Sequence, residues 1–296
     1  AQKLFDILKR YEALDDLMGR IGSYAGLIYA TDTTNPAHAK FYGDTQGHLT
    51  DAAGHTLFFA LEFNRLDEKL VSSLTAQKPL NHYKPWIDDT RIELPHQLDD
   101  KLEKLFLEKS TTSYSAWNRL FDETISDLRF KVGDENLAIE PTLNMMVDKD
   151  ETKRKLAADA IGVTLKANLR TFTLITNTLA KDKSISDSWR HFEDVADARH
   201  LSNRVEREVV DALVSAVHAA YPRLTHRYYK LKAKWFGKET LNHWDRNAPL
   251  PDANTKIYSF TEAKDIVLGA YAGFSPKMAT IAEKFFHGYI DAPVRP

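Results

Sequence analysis

The chain has no cysteine, which excludes disulfides, thiolate metal sites and a cysteine nucleophile, and leaves the redox compartment open. It has almost no charge excess: 40 Lys plus Arg stand against 42 Asp plus Glu, a formal balance of -2 with histidine neutral. A polyanion binder driven by bulk charge is therefore not the default reading. Lys, Asp or Glu interrupts every hydrophobic stretch, so no run approaches the roughly 18 apolar residues a membrane span needs. Glycine and proline are sparse, 12 and 11 in 296 residues, far from collagen-like or low-complexity usage.

What is present is ordinary globular material, 43% hydrophobic and 28% charged. The length predicts about two domains and burial of about three quarters of the surface the unfolded chain exposes. Ala1 to Leu8 reads as amphipathic helix and lacks the zones of a signal peptide. The expectation is a cytoplasmic protein with no membrane partner, and a start in mid-helix is compatible with a fragment.

Apolar residues recur at three- and four-residue spacing over long stretches, so the predicted class is mainly α. Val205, Val209, Val210, Leu213, Val214 and Val217 form one such face, preceded by Asn203 and Glu206 in capping-box spacing. Pro222 ends that helix, and Leu224 to Phe236 restarts before Gly237. A single long helix is predicted from about Glu151 to Ala180. Leu128 to Val132 and Leu137 to Ile139, flanking Gly133 to Asn136, predict one small β-hairpin. Ser275 and Pro276 open a helix with Ile281, Ala282, Phe285 and Phe286 on its inner face. The tail Asp291 to Pro296 reads as extended. Weak boundary candidates fall at Asp148 to Asp150 and Lys183 to Ser188.

Three patterns could carry chemistry. Asp44, His48, Asp51, His55 and Glu62 share one face if their segment is helical, and carboxylates with imidazoles on one stripe can hold a divalent metal. The plainer account, which the pattern favours, is the wet side of a helix whose dry side holds Leu49, Ala52, Ala53, Leu57 and Phe59. The second is the zinc-peptidase motif His-Glu-x-x-His; none of the 11 histidines fits it, and His287 with Glu283 one turn earlier reads as a surface pair. The third is Arg223 to Arg246, with seven Lys or Arg against Glu239 and Asp245, and Tyr228, Tyr229, Trp235 and Trp244 interleaved. This could be a nucleic-acid helix. The near-neutral total favours core aromatics with snorkelling lysines, and no nucleic-acid partner is expected. No Gly-rich phosphate loop and no Gly-x-Ser-x-Gly elbow is present.

Several strings resemble a known family. They run from Ala198-Arg199-His200-Leu201-Ser202-Asn203-Arg204-Val205 through Tyr221-Pro222-Arg223-Leu224, Lys232-Ala233-Lys234-Trp235 and Trp244-Asp245-Arg246-Asn247-Ala248-Pro249. They continue in Phe274-Ser275-Pro276 and Ile290-Asp291-Ala292-Pro293-Val294-Arg295-Pro296, with weaker similarity in Leu57 to Asn64 and Arg129 to Ile139. On these the chain resembles the oligoendopeptidase F branch of the thimet-oligopeptidase-like zinc metallopeptidases.

The resemblance implies a largely helical fold around a deep groove that admits short peptides, and hydrolysis of internal peptide bonds of oligopeptides by metal-activated water. It also implies that the zinc helix and the third ligand come downstream of Asp291 to Pro296. No residue here matches a catalytic, cofactor-binding or metal-binding position of the family, so none is assigned. The expected division is an amino-terminal helical lobe with the hairpin over 1–150, and a long-helix region leading into the catalytic lobe over 151–296. Zinc is expected in the complete enzyme, bound by a carboxy-terminal catalytic half that is this chain's partner, with oligopeptide as substrate. The chain alone is expected to be inactive, with an apolar face at Phe274, Ile281 and Phe285 awaiting that half. The alternative is a non-catalytic helical scaffold or peptide-binding module.

Overall fold

The structure is a computed structural model that describes residues 1–251 and 256–290. It is mainly α, with one two-stranded hairpin among the described residues. Contacts divide the chain into a unit from Ala1 to Ala248 and a second from Pro249 to Pro296.

The first unit opens with two long helices, α1 (Gln2–Thr31) and α2 (Pro36–Asn64), that fold back on one another. The reversal is encoded locally. Asp32 accepts from the backbone and hydroxyl of Thr34, Asn35 caps α2 by accepting from Ala37 N and His38 N, and Pro36 fills the first helical position. The two helices come close at Gly22, where a Cβ would lie 3.1 Å from the Leu49 methyl and that methyl would have to give way. α3 (Glu68–Thr75), a 3₁₀ turn over Leu80–Tyr83 and α4 (Lys84–Arg91) close over the pair. Together they bury a core of Leu8, Phe63, Val71, Leu80 and Ile87. Arg91 ties this corner by donating to the carbonyls of Phe63, Asn64 and Leu66 at and just past the end of α2, where helix carbonyls run out of intrahelical partners.

α5 (Asp100–Ser110) packs on α2, and α6 (Tyr114–Asp127) leads into β1 (Phe130–Val132) and β2 (Glu135–Leu137). The strands are antiparallel, with Phe130 opposite Leu137 and Val132 opposite Glu135. α7 (Ile139–Met145) and α8 (Glu151–Ala167) follow, and Phe130, Val132 and Ala160 form a second small core. α9 (Leu169–Trp189) meets α6 through Phe121 and Phe172, edge to face at 5.7 Å. Just past its end, Arg190 grips both oxygens of Glu103 on α5 at 2.8 and 2.9 Å, and the His96 ring stacks on Phe192. Then come α10 (Asp197–Ser202), α11 (Arg207–Ala220), α12 (Thr225–Trp235) and a 3₁₀ turn over His243–Asp245.

The second unit holds α13 (Phe260–Phe274) and α14 (Pro276–Phe286). α13 starts with a capping box between Ser259 and Glu262, α14 with the expected Ser275 cap and Pro276. Phe260 meets Phe286 edge to face at 6.1 Å.

Several expectations need correcting. The single helix from Glu151 to Ala180 is two helices, broken at Asn168. There the backbone leaves helical angles, and the side-chain amide donates to the Thr164 carbonyl, the local competition that makes Asn a poor helix interior. The boundary candidate Lys183 to Ser188 lies inside α9. The Asn203–Glu206 capping box does not form: Arg204 at φ 53° turns the chain between them, Asn203 ends α10, and Glu206 itself occupies the cap of α11. The hairpin is tighter than its sequence suggests, because Gly133 at φ 61° lets a two-residue turn suffice and Glu135 and Asn136 join the ladder. On α14, Ala282 and Phe286 are half-buried, whereas Ile281 and Phe285 are exposed. The Asp291 to Pro296 tail lies outside the described residues.

Candidate functional site

The most organised polar site of the first unit is a buried network of charges where α8, α12 and the His243–Asp245 turn meet. It begins with the cap of α8. Asp150 accepts from Thr152 N and Asp148 from Asp150 N, a turn that presents two carbonyls toward Arg154. The Arg154 Nη1 donates to the carbonyls of Asp148 and Lys149, each at 2.9 Å, and its Nη2 donates to Asp245 Oδ1 at 2.7 Å. Arg154 is 1% exposed and Asp245 0%. The second Asp245 oxygen takes Lys238 Nζ at 2.6 Å and the Asn242 backbone N–H at 3.0 Å. Lys238 also donates to Glu151, which takes the Trp244 indole N–H at 3.2 Å. Lys232, also buried, donates to the Arg246 carbonyl at 2.8 Å beneath the Phe236 ring.

These partners set the ionisation. Burial works to raise the Asp245 carboxyl, but the bonds from Lys238, Arg154 and the Asn242 N–H outweigh it and hold the group below the ordinary carboxylate range. Bonds from Lys238 and Trp244 likewise lower Glu151. Burial, then the neighbouring Arg154 charge, push Lys232 down. Both oxygens of the buried Asp245 are engaged by donors, so this carboxylate is poorly placed to act as an acid or base. The network fixes the relative positions of three chain segments.

The sequence patterns fare unevenly. Asp44, His48, Asp51, His55 and Glu62 do share one face of α2, and all are exposed, with Asp44 held by Lys40. Leu49, Ala52, Ala53, Leu57 and Phe59 are half-buried, as the plainer account requires. No group of three or more His, Asp or Glu side chains that could hold a metal occurs among the described residues, so these side chains do not fit a zinc centre. His287 sits 3.9 Å from Glu283 on the surface. The Arg223 to Arg246 patch departs from its expected reading: Tyr228 and Trp235 are exposed, while Lys232 and Lys238 turn inward to the network.

Arg154 was not singled out by its sequence context. The available signal is its spacing: three and four residues before the buried Ala157 and Ala158, it shares their inward face.

Lys232 and Arg246, from two of the strings that carry the sequence resemblance, thus meet at one structural centre. Comparison with known proteins agrees. The Oligopeptidase F family model matches residues 62–130. The oligopeptidase PepF of Bacillus subtilis (strain 168) is 27% identical over 295 residues, covering 96% of this chain and 43% of that protein. In sequence and fold the chain resembles oligoendopeptidase F. The group B oligopeptidase PepB of Streptococcus agalactiae is 23% identical over 270 residues, 89% of this chain and 45% of that protein. The crystal structure of oligoendopeptidase-F from Enterococcus faecium superposes with a TM-score of 0.76 at 17% identity, over 98% of this chain and 63% of that one. The chain spans less than half the length of the curated relatives it matches. Among the described residues, no helix is long and apolar enough to cross a membrane.

Proposed function

We propose that the chain is a portion of a cytoplasmic zinc endopeptidase of the oligoendopeptidase F type, which hydrolyses internal peptide bonds of short oligopeptides, and that by itself it is inactive. The observation that carries this reading is the match to PepF along 96% of the chain but only 43% of the relative. Residues 1–150 would supply the amino-terminal lobe and 151–296 the lead-in to the catalytic lobe, together walling a substrate groove. A complementary half would bring the His-Glu-x-x-His helix and hold the zinc, which supplies the activated water. This chain's own contribution is to orient the peptide and to brace the metal-bearing half. The charge network supports that role, because a rigid second layer is what a catalytic constellation needs around it.

The test is complementation. Mixing the chain with a polypeptide that carries the downstream His-Glu-x-x-His region should yield cleavage of a quenched fluorescent peptide, abolished by a chelator and absent with either piece alone. Metal-dependent cleavage by this chain alone would overturn the inactive part of the reading. No cleavage by a mixture of two folded halves would favour a peptide-binding scaffold.

A further inference from the structure

Tyr29, Tyr42, Tyr114, Arg119 and Asp122 line a cavity of about 720 Å³ walled by residues of α1, α2, α5 and α6. Its volume lies in the range of small-molecule sites. Nothing in the peptidase reading uses it. Two of its walls are unusual. The Tyr29 ring is buried and stacked on Tyr42 at 4.9 Å and 5°, and its hydroxyl is buried without a hydrogen-bond partner. A buried hydroxyl with nothing to bond costs free energy. Burial, then the Glu123 and Asp122 charges, raise it above the ordinary phenol value, so it keeps its proton.

The second wall is charged. Arg119 reaches from α6 across to α2, where its Nη1 would lie 2.9 Å from a Cβ at Gly43; any side chain there would displace the guanidinium. Its Nε meets Glu123 at 3.5 Å, and no hydrogen bond among the described residues occupies its terminal Nη atoms. Asp122, three residues on and so on the same helix face, has no ion-pair or hydrogen-bond partner among the described residues. A guanidinium and a carboxylate thus border an aromatic, half-polar hollow from backbone positions less than one helical turn apart, about 5 Å along the helix.

We propose that this cavity binds a zwitterionic dipeptide with an aromatic side chain, its carboxylate on the Arg119 Nη atoms, its ammonium on Asp122, and its aromatic ring against the tyrosine wall beside the Tyr29 hydroxyl. Two extended residues span about 7 Å, enough to bridge two groups whose backbone positions lie about 5 Å apart. A longer peptide would have to leave one end unpaired. A guanidinium takes carboxylate in two parallel bonds, and the neighbouring rings accept a third ring without a directional demand.

The test uses the whole chain and needs no partner half. Isothermal titration with Ala-Tyr should show saturable binding, and N-acetyl-Ala-Tyr-amide, which has neither charge, should bind at least about tenfold more weakly, as loss of charge-assisted bonds predicts. Arg119→Gln and Asp122→Asn, on exposed side chains, should each weaken Ala-Tyr about tenfold with an unchanged circular dichroism spectrum. Lys109→Gln, outside the lining, should leave it unaltered. Equal affinity for the charged and blocked dipeptides, unaltered binding in the Arg119 and Asp122 variants, or no heat with Ala-Tyr at millimolar concentration would each overturn the proposal. Since no step involves hydrolysis or metal, failure of complementation would leave this result standing, and the reverse.

Discussion

At the scale of single residues, the sharpest energetic statement concerns Asp245. Arg154 and Asp245 are both out of solvent and joined at 2.7 Å. Removing one partner of such a pair costs more than the pair itself contributes, because the other charge is left buried alone. Asp245→Asn should therefore destabilise the first unit by about 3–5 kcal/mol, read as a lower urea midpoint at unchanged slope. Arg154→Met combined with Asp245→Asn should recover part of that loss, since the double variant leaves no unpaired guanidinium. The pH dependence follows from the same bonds. Asp245 and Glu151 are held below their unfolded values, so their contribution is fully present above the unfolded carboxylate range, about pH 4, and is lost as pH falls through the folded values. Wild-type melting temperature should drop steeply on acidification below about pH 4, and Asp245→Asn should flatten that limb. A parallel pair of curves would remove the network from the account.

At the scale of elements, one chemical change should have opposite signs at two glycines. Gly133 sits at φ 61° in the hairpin turn, where a Cβ is strained, so Gly133→Ala should cost about 1 kcal/mol and loosen amide protection in β1 and β2. Gly54 lies inside α2, and a Cβ added there would meet nothing within 4 Å, so Gly54→Ala should stabilise by about 0.5–1 kcal/mol. Thermal melts of the two variants decide both. The contrast also explains what was legible beforehand. Periodicity revealed α11, α12 and α14 because apolar residues recur every three or four positions along one face of each. It passed over the break at Asn168, since apolar spacing runs on through a single off-helical residue. The Asn203–Glu206 box failed for the same reason: a one-residue turn at Arg204 leaves no mark on hydrophobic spacing. The charge network was invisible because its members lie 91 residues apart, and no local rule pairs Arg154 with Asp245.

At the scale of the whole molecule, apolar surface left uncovered within each unit is the feature that bears most on function. In the first unit, Leu213 is 63% exposed, and Val209, Val214 and Val217 beside it on α11 are exposed as well. In the second, Phe274 is 85% exposed. A helix of 14 residues gains little stability in water from propensity alone and depends on packing its apolar stripe. If the proposed catalytic half covers that stripe, the same surface should drive self-association when the half is missing. Sedimentation velocity should then show concentration-dependent oligomers of the chain. The double variant Leu213→Lys with Val217→Lys should be monomeric, because it places two charges on a stripe that needs to be dry. The variant should also lose at least about tenfold in peptide cleavage restored by the complementary half, equivalent to about 1.4 kcal/mol of docking. Monomeric wild type together with undiminished complementation by the variant would mean that α11 is not the surface the other half covers.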